Sequence, residues 1–153
     1  MVKKKLILIN KVDHIGIRVR NEKRALLFYA TLGFSVESRA TNDPVVIIKN
    51  QMGIELNLIV NANNHENNKN ILMDEDIKYP GYTHIALSVT SIKNCISALK
   101  SNGIEITQGP VRFDKDSHVS VFIRDPDSNV IEFRGRDEKS ENIDDIKFYD
   151  PTH

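Results

Sequence analysis

Apolar and polar residues alternate along two short segments set 70 positions apart. Residues 13–19 read DHIGIRV and residues 83–89 read THIALSV. Ile15, Ile17 and Val19 share one side of an extended chain, opposite His14, Gly16 and Arg18. In the second copy Ile85, Leu87 and Val89 oppose His84, Ala86 and Ser88. A period of two predicts strands buried on one face. A helical stripe follows each: Ala25, Phe28, Tyr29 and Leu32, then Ile92, Cys95, Ile96 and Leu99. The predicted helices run over 21–32 and 91–102, with Asn21 and Ser91 as N-caps and Gly33 and Gly103 as stops. Cys95 lies within its stripe and reads as a buried structural thiol.

Each half then continues with a short strand, near residues 34–39 and 104–108, and a hairpin. Strands 45–49 and 54–59 flank Asn50 to Gly53, and strands 119–124 and 130–134 flank Asp125-Pro126-Asp127-Ser128-Asn129. The predicted class is therefore α+β, two tandem βαβββ modules forming a curved mixed sheet. One domain spans 1–135, with module one at 11–60, a linker at 61–80 and module two at 81–135. The Asn-rich stretch 61–70, with His65, reads as a solvated linker or mobile loop. A charged tail covers 136–153, and its segment 143–149 reads either as a short helix or as a docking segment.

Size and charge narrow the function. A chain of 153 residues with 40% hydrophobic and 27% charged residues suits one compact domain. Lys+Arg and Asp+Glu both number 21, which leaves no basic excess for neutralising a nucleic-acid backbone. The apolar run 6–9 after three lysines is too short for a signal peptide, and no stretch approaches a membrane span. The single cysteine excludes an intrachain disulfide. A soluble, cytoplasmic protein is expected, acting on a small molecule with neither nucleic acid nor membrane as partner.

His14 and His84 occupy matching positions on the polar faces of the two first strands, each followed there by a very small residue, Gly16 or Ala86. A lone histidine in such a place is usually just a polar residue on a solvated face; two at matched positions are harder to dismiss. The final strand of each half supplies an acid. In GIELNLI (53–59), Glu55 faces away from Ile54, Leu56 and Leu58; in NVIEFRG (129–135), Glu132 faces away from Ile131 and Phe133. Glutamate is disfavoured in half-buried strands unless something compensates it, and a cation would. Two imidazoles and two carboxylates suit Zn, Ni, Co, Mn or Fe.

These residues resemble the vicinal oxygen chelate superfamily, which includes glyoxalase I, extradiol dioxygenases, methylmalonyl-CoA epimerase, and fosfomycin- and bleomycin-resistance proteins. The carrying motifs are DHIGIRV, FYATLGF (28–34), GIELNLI, YTHIALSV (82–89), GPV (109–111) and RDPDSNVIEF (124–133). Four protein ligands, His14, Glu55, His84 and Glu132, look most like glyoxalase I. That resemblance implies one divalent metal and proton transfer on a substrate chelated through two oxygens, converting a hemithioacetal to a hydroxyacyl thioester. Glu132 and Glu55 would be the catalytic acid/base groups, Arg18 and Arg112 the substrate anchors, and a homodimer the assembly. Ile59 stands where the family's substrate-binding Asn is found, which counts against glutathione, as does the longer segment leading to His118, a residue read as surface or pocket rim. The alternatives are epimerase, fosfomycin-type thiol transferase or dioxygenase chemistry, or a non-catalytic resistance protein that sequesters its ligand.

Overall fold

The computed structural model describes residues 6–64, 67–113, 117–137, 143 and 145–149. The chain divides into two compact units, Met1–Ala62 and Asn63–His153. Unit one contains β1 (Ile15–Arg18), α1 (Glu22–Thr31), β2 (Ser35–Arg39), β3 (Val45–Lys49) and β4 (Glu55–Ile59). Its sheet has the order β1-β4-β3-β2, with β1 and β4 parallel and the other pairs antiparallel. Unit two contains β5 (His84–Ser88), α2 (Ile92–Ser101), β6 (Gln108–Arg112), β7 (His118–Arg124), β8 (Val130–Arg136) and β9 (Lys147–Phe148). Its sheet has the order β5-β8-β7-β6-β9, with β5 and β8 parallel. The expected α+β class holds: strand, helix and three strands occur twice, and each module forms its own mixed sheet.

The helices begin and end where their caps require. Asn21 accepts a hydrogen bond from the Arg24 N–H at 2.9 Å, and the Ser91 hydroxyl accepts one from the Asn94 N–H at 3.1 Å. Ala25 and Tyr29 on α1 are buried, as are Val46, Ile48, Leu56 and Leu58 of unit one. Tyr29 packs edge-on against both Phe28 and Phe34. In unit two, Ile92 and Leu99 on α2 and Val119, Val121, Ile123 and Ile131 on the strands are buried. Cys95 is half-buried, and burial pushes its thiol up to about 11, so it stays protonated at neutral pH, as a structural thiol should.

Three expectations need correction. The strand after α2 runs over Gln108–Arg112, beginning where the expected 104–108 segment ends. Ile104 and Ile106 alternate as a strand would, but only Thr107, whose N–H bonds the Phe122 carbonyl at 2.8 Å, reaches β7 before Gln108. The Asn-rich stretch is docked rather than simply solvated. Asn68 donates to the Pro126 carbonyl, Asn70 donates to the Ser128 carbonyl, and the Ser128 hydroxyl donates to the Asn68 carbonyl. His65 lies outside the described residues. The tail takes a third form: Lys147–Phe148 adds a parallel strand to the edge of β6, extended by a Tyr149 N–H to Arg112 carbonyl bond of 2.7 Å.

The two hairpin turns set the register of the last strand in each unit. Both contain five residues, Asn50–Ile54 and Asp125–Asn129. Asn50 Oδ1 accepts from the N–H groups of Met52 (3.1 Å) and Ile54 (2.9 Å). Asp125 Oδ1 accepts from those of Asp127 (2.8 Å) and Asn129 (2.9 Å), two and four residues on in each case. The left-handed position is Gly53 (φ 80°) in one turn and Ser128 (φ 65°) in the other. The hairpins therefore correspond at an offset of 75, which pairs Lys49 with Arg124 and Asn57 with Glu132.

The ladders agree. Asn57 sits between Gly16 and Ile47, and Glu132 between Ala86 and Phe122. Equating Glu55 with Glu132, as the shared Ile-Glu dipeptide suggests, is thus two residues out of register; the counterpart of Glu55 is Val130. A slip of two residues keeps every side chain on its expected face, so alternation cannot reveal it.

Because each Asx turn satisfies two backbone donors, Asn50→Ala and Asp125→Ala should each lower unfolding free energy by about 1–2 kcal/mol. Asp125→Ala should cost more, because its Oδ2 also accepts from the Asn129 side chain at 2.9 Å. Urea denaturation checks both; two unchanged midpoints would remove the turns from this role.

Candidate metal centre

The strongest constellation lies in unit two. Adjacent parallel strands β5 and β8 bring His84 Nε2 to 3.0 Å from Glu132 Oε2. A carboxylate only accepts, so Nε2 is the donor of this pair. Nδ1 lies 2.9 Å from the Thr83 hydroxyl, which can donate to it or accept from it. The other carboxylate oxygen, Oε1, accepts from the Ser120 hydroxyl at 2.5 Å, and Ser120 also lies 3.5 Å from an Arg134 guanidinium nitrogen. Ser120 is fully buried and Glu132 is 7% exposed. Burying an ionised carboxylate is costly unless it is hydrogen-bonded and paired, and these partners supply both.

An apolar wall flanks the pair. The His84 ring meets Phe122 edge-on at 5.7 Å, Phe122 meets Phe113 at 6.1 Å, and Phe113 meets Tyr149 at 5.0 Å. Val111, Phe122 and Val130 form a buried cluster against which Met73 packs. Met73 is held there by its own segment: the Arg124 guanidinium clasps the Asp74 carboxylate in two bonds of 2.7 and 2.8 Å. The Asn70 N–H adds a third at 2.7 Å. These bonds, the Arg124 guanidinium above all, hold the Asp74 carboxyl below its ordinary value of 3.8.

Unit one places its candidates differently. His14 precedes β1, is exposed, and has Nδ1 at 2.8 Å from Asp13 Oδ1. The hydrogen bond and charge of His14 lower the Asp13 carboxyl. Glu55 opens β4 beside Lys49, with Oε2 3.2 Å from the ammonium. Asn57, two residues on and on the same face, has a buried Oδ1 with no hydrogen-bond donor. Leaving a buried carbonyl oxygen unsatisfied costs about 1–3 kcal/mol, so this atom suits a cation or a donor on a ligand. Arg18 is exposed on the face of Gly16, paired across the sheet with Ile59. Arg112 points its guanidinium to the Asp137 carboxylate, and His118 is half-buried on β7.

Of the four expected ligands, His84 and Glu132 are in direct contact, whereas His14 and Glu55 are engaged with Asp13 and Lys49. Among the described residues of either unit, no three His, Cys, Asp or Glu side chains converge. Each unit nevertheless presents donors of a kind that suits a borderline divalent ion: in unit two an imidazole and a carboxylate at contact distance, and in unit one an imidazole just before β1 and the orphaned amide oxygen of Asn57. Ser120, Thr83 and Asn57 were not anticipated. Aligning the two turns, Asn50 with Asp125 and Gly53 with Ser128, would have singled out Asn57. A groove of about 970 Å³ between α2 and the strands β6 and β9 is lined by Lys93, Ile96, Lys100 and Phe148 and contains none of the candidate ligands.

Paired βαβββ modules with a His–Glu contact on the parallel strand pair define a class, and comparison with known proteins identifies it. Residues 11–133 match the Glyoxalase/Bleomycin resistance protein/Dioxygenase superfamily, and the chain belongs to that superfamily. It is 28% identical over 130 residues to the Virulence protein STM3117 of Salmonella typhimurium, covering 82% of this chain and 84% of that protein. It is 25% identical over 127 residues to the Glyoxalase domain-containing protein RDO1 of Mycosarcoma maydis, covering 81% and 67%. The crystal structure of a glyoxalase/dioxygenase from Nostoc punctiforme shares the fold, with a TM-score of 0.68 at 22% identity, over 89% of this chain and 100% of that one. No helix among the described residues is long and apolar enough to cross a membrane.

Replacing Arg124 by Gln should release the 67–80 segment. The Met73 and Asp74 N–H groups, both bonded to the Asn70 carbonyl, should then exchange with solvent about tenfold faster. Because the Asp74 carboxyl is lowered in the folded state, the clasp is complete above about 3.8 and is lost as pH falls through the lowered value. The wild-type protection factors at these amides, taken relative to the intrinsic exchange rate at each pH, should therefore fall in acid more than those of the variant. Equal protection in the two proteins at pH 7 would contradict the clasp.

Proposed function

We propose that the chain is a metal-dependent enzyme of the glyoxalase type that moves a proton on a small substrate held through two oxygens. The supporting ligand set is His14, His84 and Glu132, completed by a side chain of β4, for which the sequence nominates Glu55. The observation that carries the reading is the His84–Glu132 contact of 3.0 Å, buttressed by Ser120. A divalent ion in this place would polarise the bound oxygens and lower the cost of developing negative charge.

The protein's own groups account for the rest. Ser120 holds Oε1 of Glu132, so Oε2, which His84 Nε2 contacts at 3.0 Å, is the oxygen that would have to leave that contact to exchange a proton with substrate. Thr83 fixes the His84 ring through Nδ1, so Nε2 keeps its direction toward the centre. Phe122 and the Met73 cluster exclude water from one side. Arg18, exposed on the face of Gly16, and Arg112, which holds Asp137, are the candidates for anchoring a substrate carboxylate. The substrate class is a hemithioacetal or a similar thiol adduct, and Ile59 favours a thiol other than glutathione. A homodimer is the assembly this reading implies.

A second reading has one observation in its favour. The three-ligand chemistries, fosfomycin-type transfer or dioxygenation, need only His14, His84 and Glu132, and Asn57 rather than a carboxylate stands at the position matching Glu132.

Protein incubated with Zn, Ni, Co, Mn or Fe and then desalted should retain about one ion per chain by elemental analysis. Glu132→Gln should abolish thioester formation from methylglyoxal and a panel of thiols while preserving the circular dichroism spectrum. Protein that retains none of these metals, or a Glu132→Gln variant with undiminished turnover, would overturn the proposal.

A further inference from the structure

We infer that Asn57, not Glu55, is the side chain that β4 presents to a metal ion on the open face of unit one. This rests on the metal-dependent reading above and sharpens its chemistry. Asn57 and Glu132 follow their turns by the same number of residues, and both turns are set by the same pair of Asx hydrogen bonds. Each faces the small residue that follows a candidate histidine by two: Asn57 pairs with Gly16, and Glu132 with Ala86. Glu55 corresponds to Val130, a residue within the apolar cluster. Local partners agree with the register. Glu55 is neutralised by Lys49 at 3.2 Å, whereas Asn57 Oδ1 is buried and lacks a donor.

The substitution changes the electrostatics of the centre. A neutral amide oxygen in place of a carboxylate leaves a bound divalent ion one unit of charge more positive. A centre with residual positive charge binds an anionic two-oxygen ligand more strongly and holds its metal less tightly. Unit one then offers no carboxylate for proton transfer at this position, so a reaction needing both an acid and a base must take the second group from elsewhere. An amide oxygen cannot take that role, because Asn does not titrate.

Cobalt(II) binding to the full chain separates the possibilities, read by calorimetry and by the visible ligand-field spectrum. Asn57→Leu should weaken binding about tenfold and shift the spectrum, and Asn57→Asp should tighten it by a similar factor. Glu55→Gln should change neither. Asn57→Leu should also unfold at an equal or higher temperature, since it removes an unsatisfied buried oxygen; this shows that weaker binding is not lost folding. Weakened binding in Glu55→Gln with Asn57→Leu unaffected would overturn the assignment, and so would an unchanged spectrum in both. His84→Ala and Glu132→Gln provide the independent check: if these two bind cobalt as wild type does, the metal reading itself fails, whatever Asn57 does.

Discussion

The register of the last strand against the first decides which side chains meet on the open face of each module. A parallel pair has one hydrogen-bonding register, and here it is set from outside the pair, by the hairpin turn that delivers the last strand. In both modules that turn has five residues and one Asx side chain closing it, Asn50 or Asp125. Moving either turn by two residues would leave the buried face intact and change every partner on the open face. In unit two this constraint delivers Glu132 to His84 and to Ser120. In unit one the same constraint delivers Asn57 beside Gly16 and leaves Glu55 at the strand's beginning with Lys49.

The two modules use equivalent positions differently, and the differences are electrostatic. Lys49 and Arg124 occupy matching places at the ends of β3 and β7. Opposite Lys49 stands Glu55, and the two pair within the sheet. Opposite Arg124 stands Val130, so the guanidinium turns to Asp74 and pins the segment that carries Met73. The acidic partner missing from one sheet is supplied by the loop, and a wall of the candidate site is built as a result. Ser120 shows the same economy: a buried hydroxyl beside Glu132 is satisfied by the carboxylate it steadies.

Much of the fold was legible in the sequence because its signals are local. Asn21 and Ser91 cap their helices, the stripes from Ala25 and Ile92 bury, and the hairpins fall where turn residues cluster. Strand alternation also placed His84 and Glu132 on one face, where they meet. What was not legible depends on pairing over distance. The Glu55 equivalence failed because the Ile-Glu dipeptide recurs at an offset of 77, while the hairpins recur at 75. The docking of Asn68 and Asn70 depends on carbonyls at Pro126 and Ser128, which no local pattern announces. The C-terminal strand needed the open edge of β6, which is invisible until the sheet is built.

X-ray absorption on protein loaded with one equivalent of zinc tests the central claim most directly. A centre built on His14, His84 and Glu132 predicts multiple scattering from two imidazoles, with nitrogen at about 2.0–2.1 Å and oxygen in the remaining positions. The imidazole signal should fall by about half in the His84→Ala protein. A shell of oxygen atoms alone, or imidazole scattering that survives unchanged in that variant, would contradict the account.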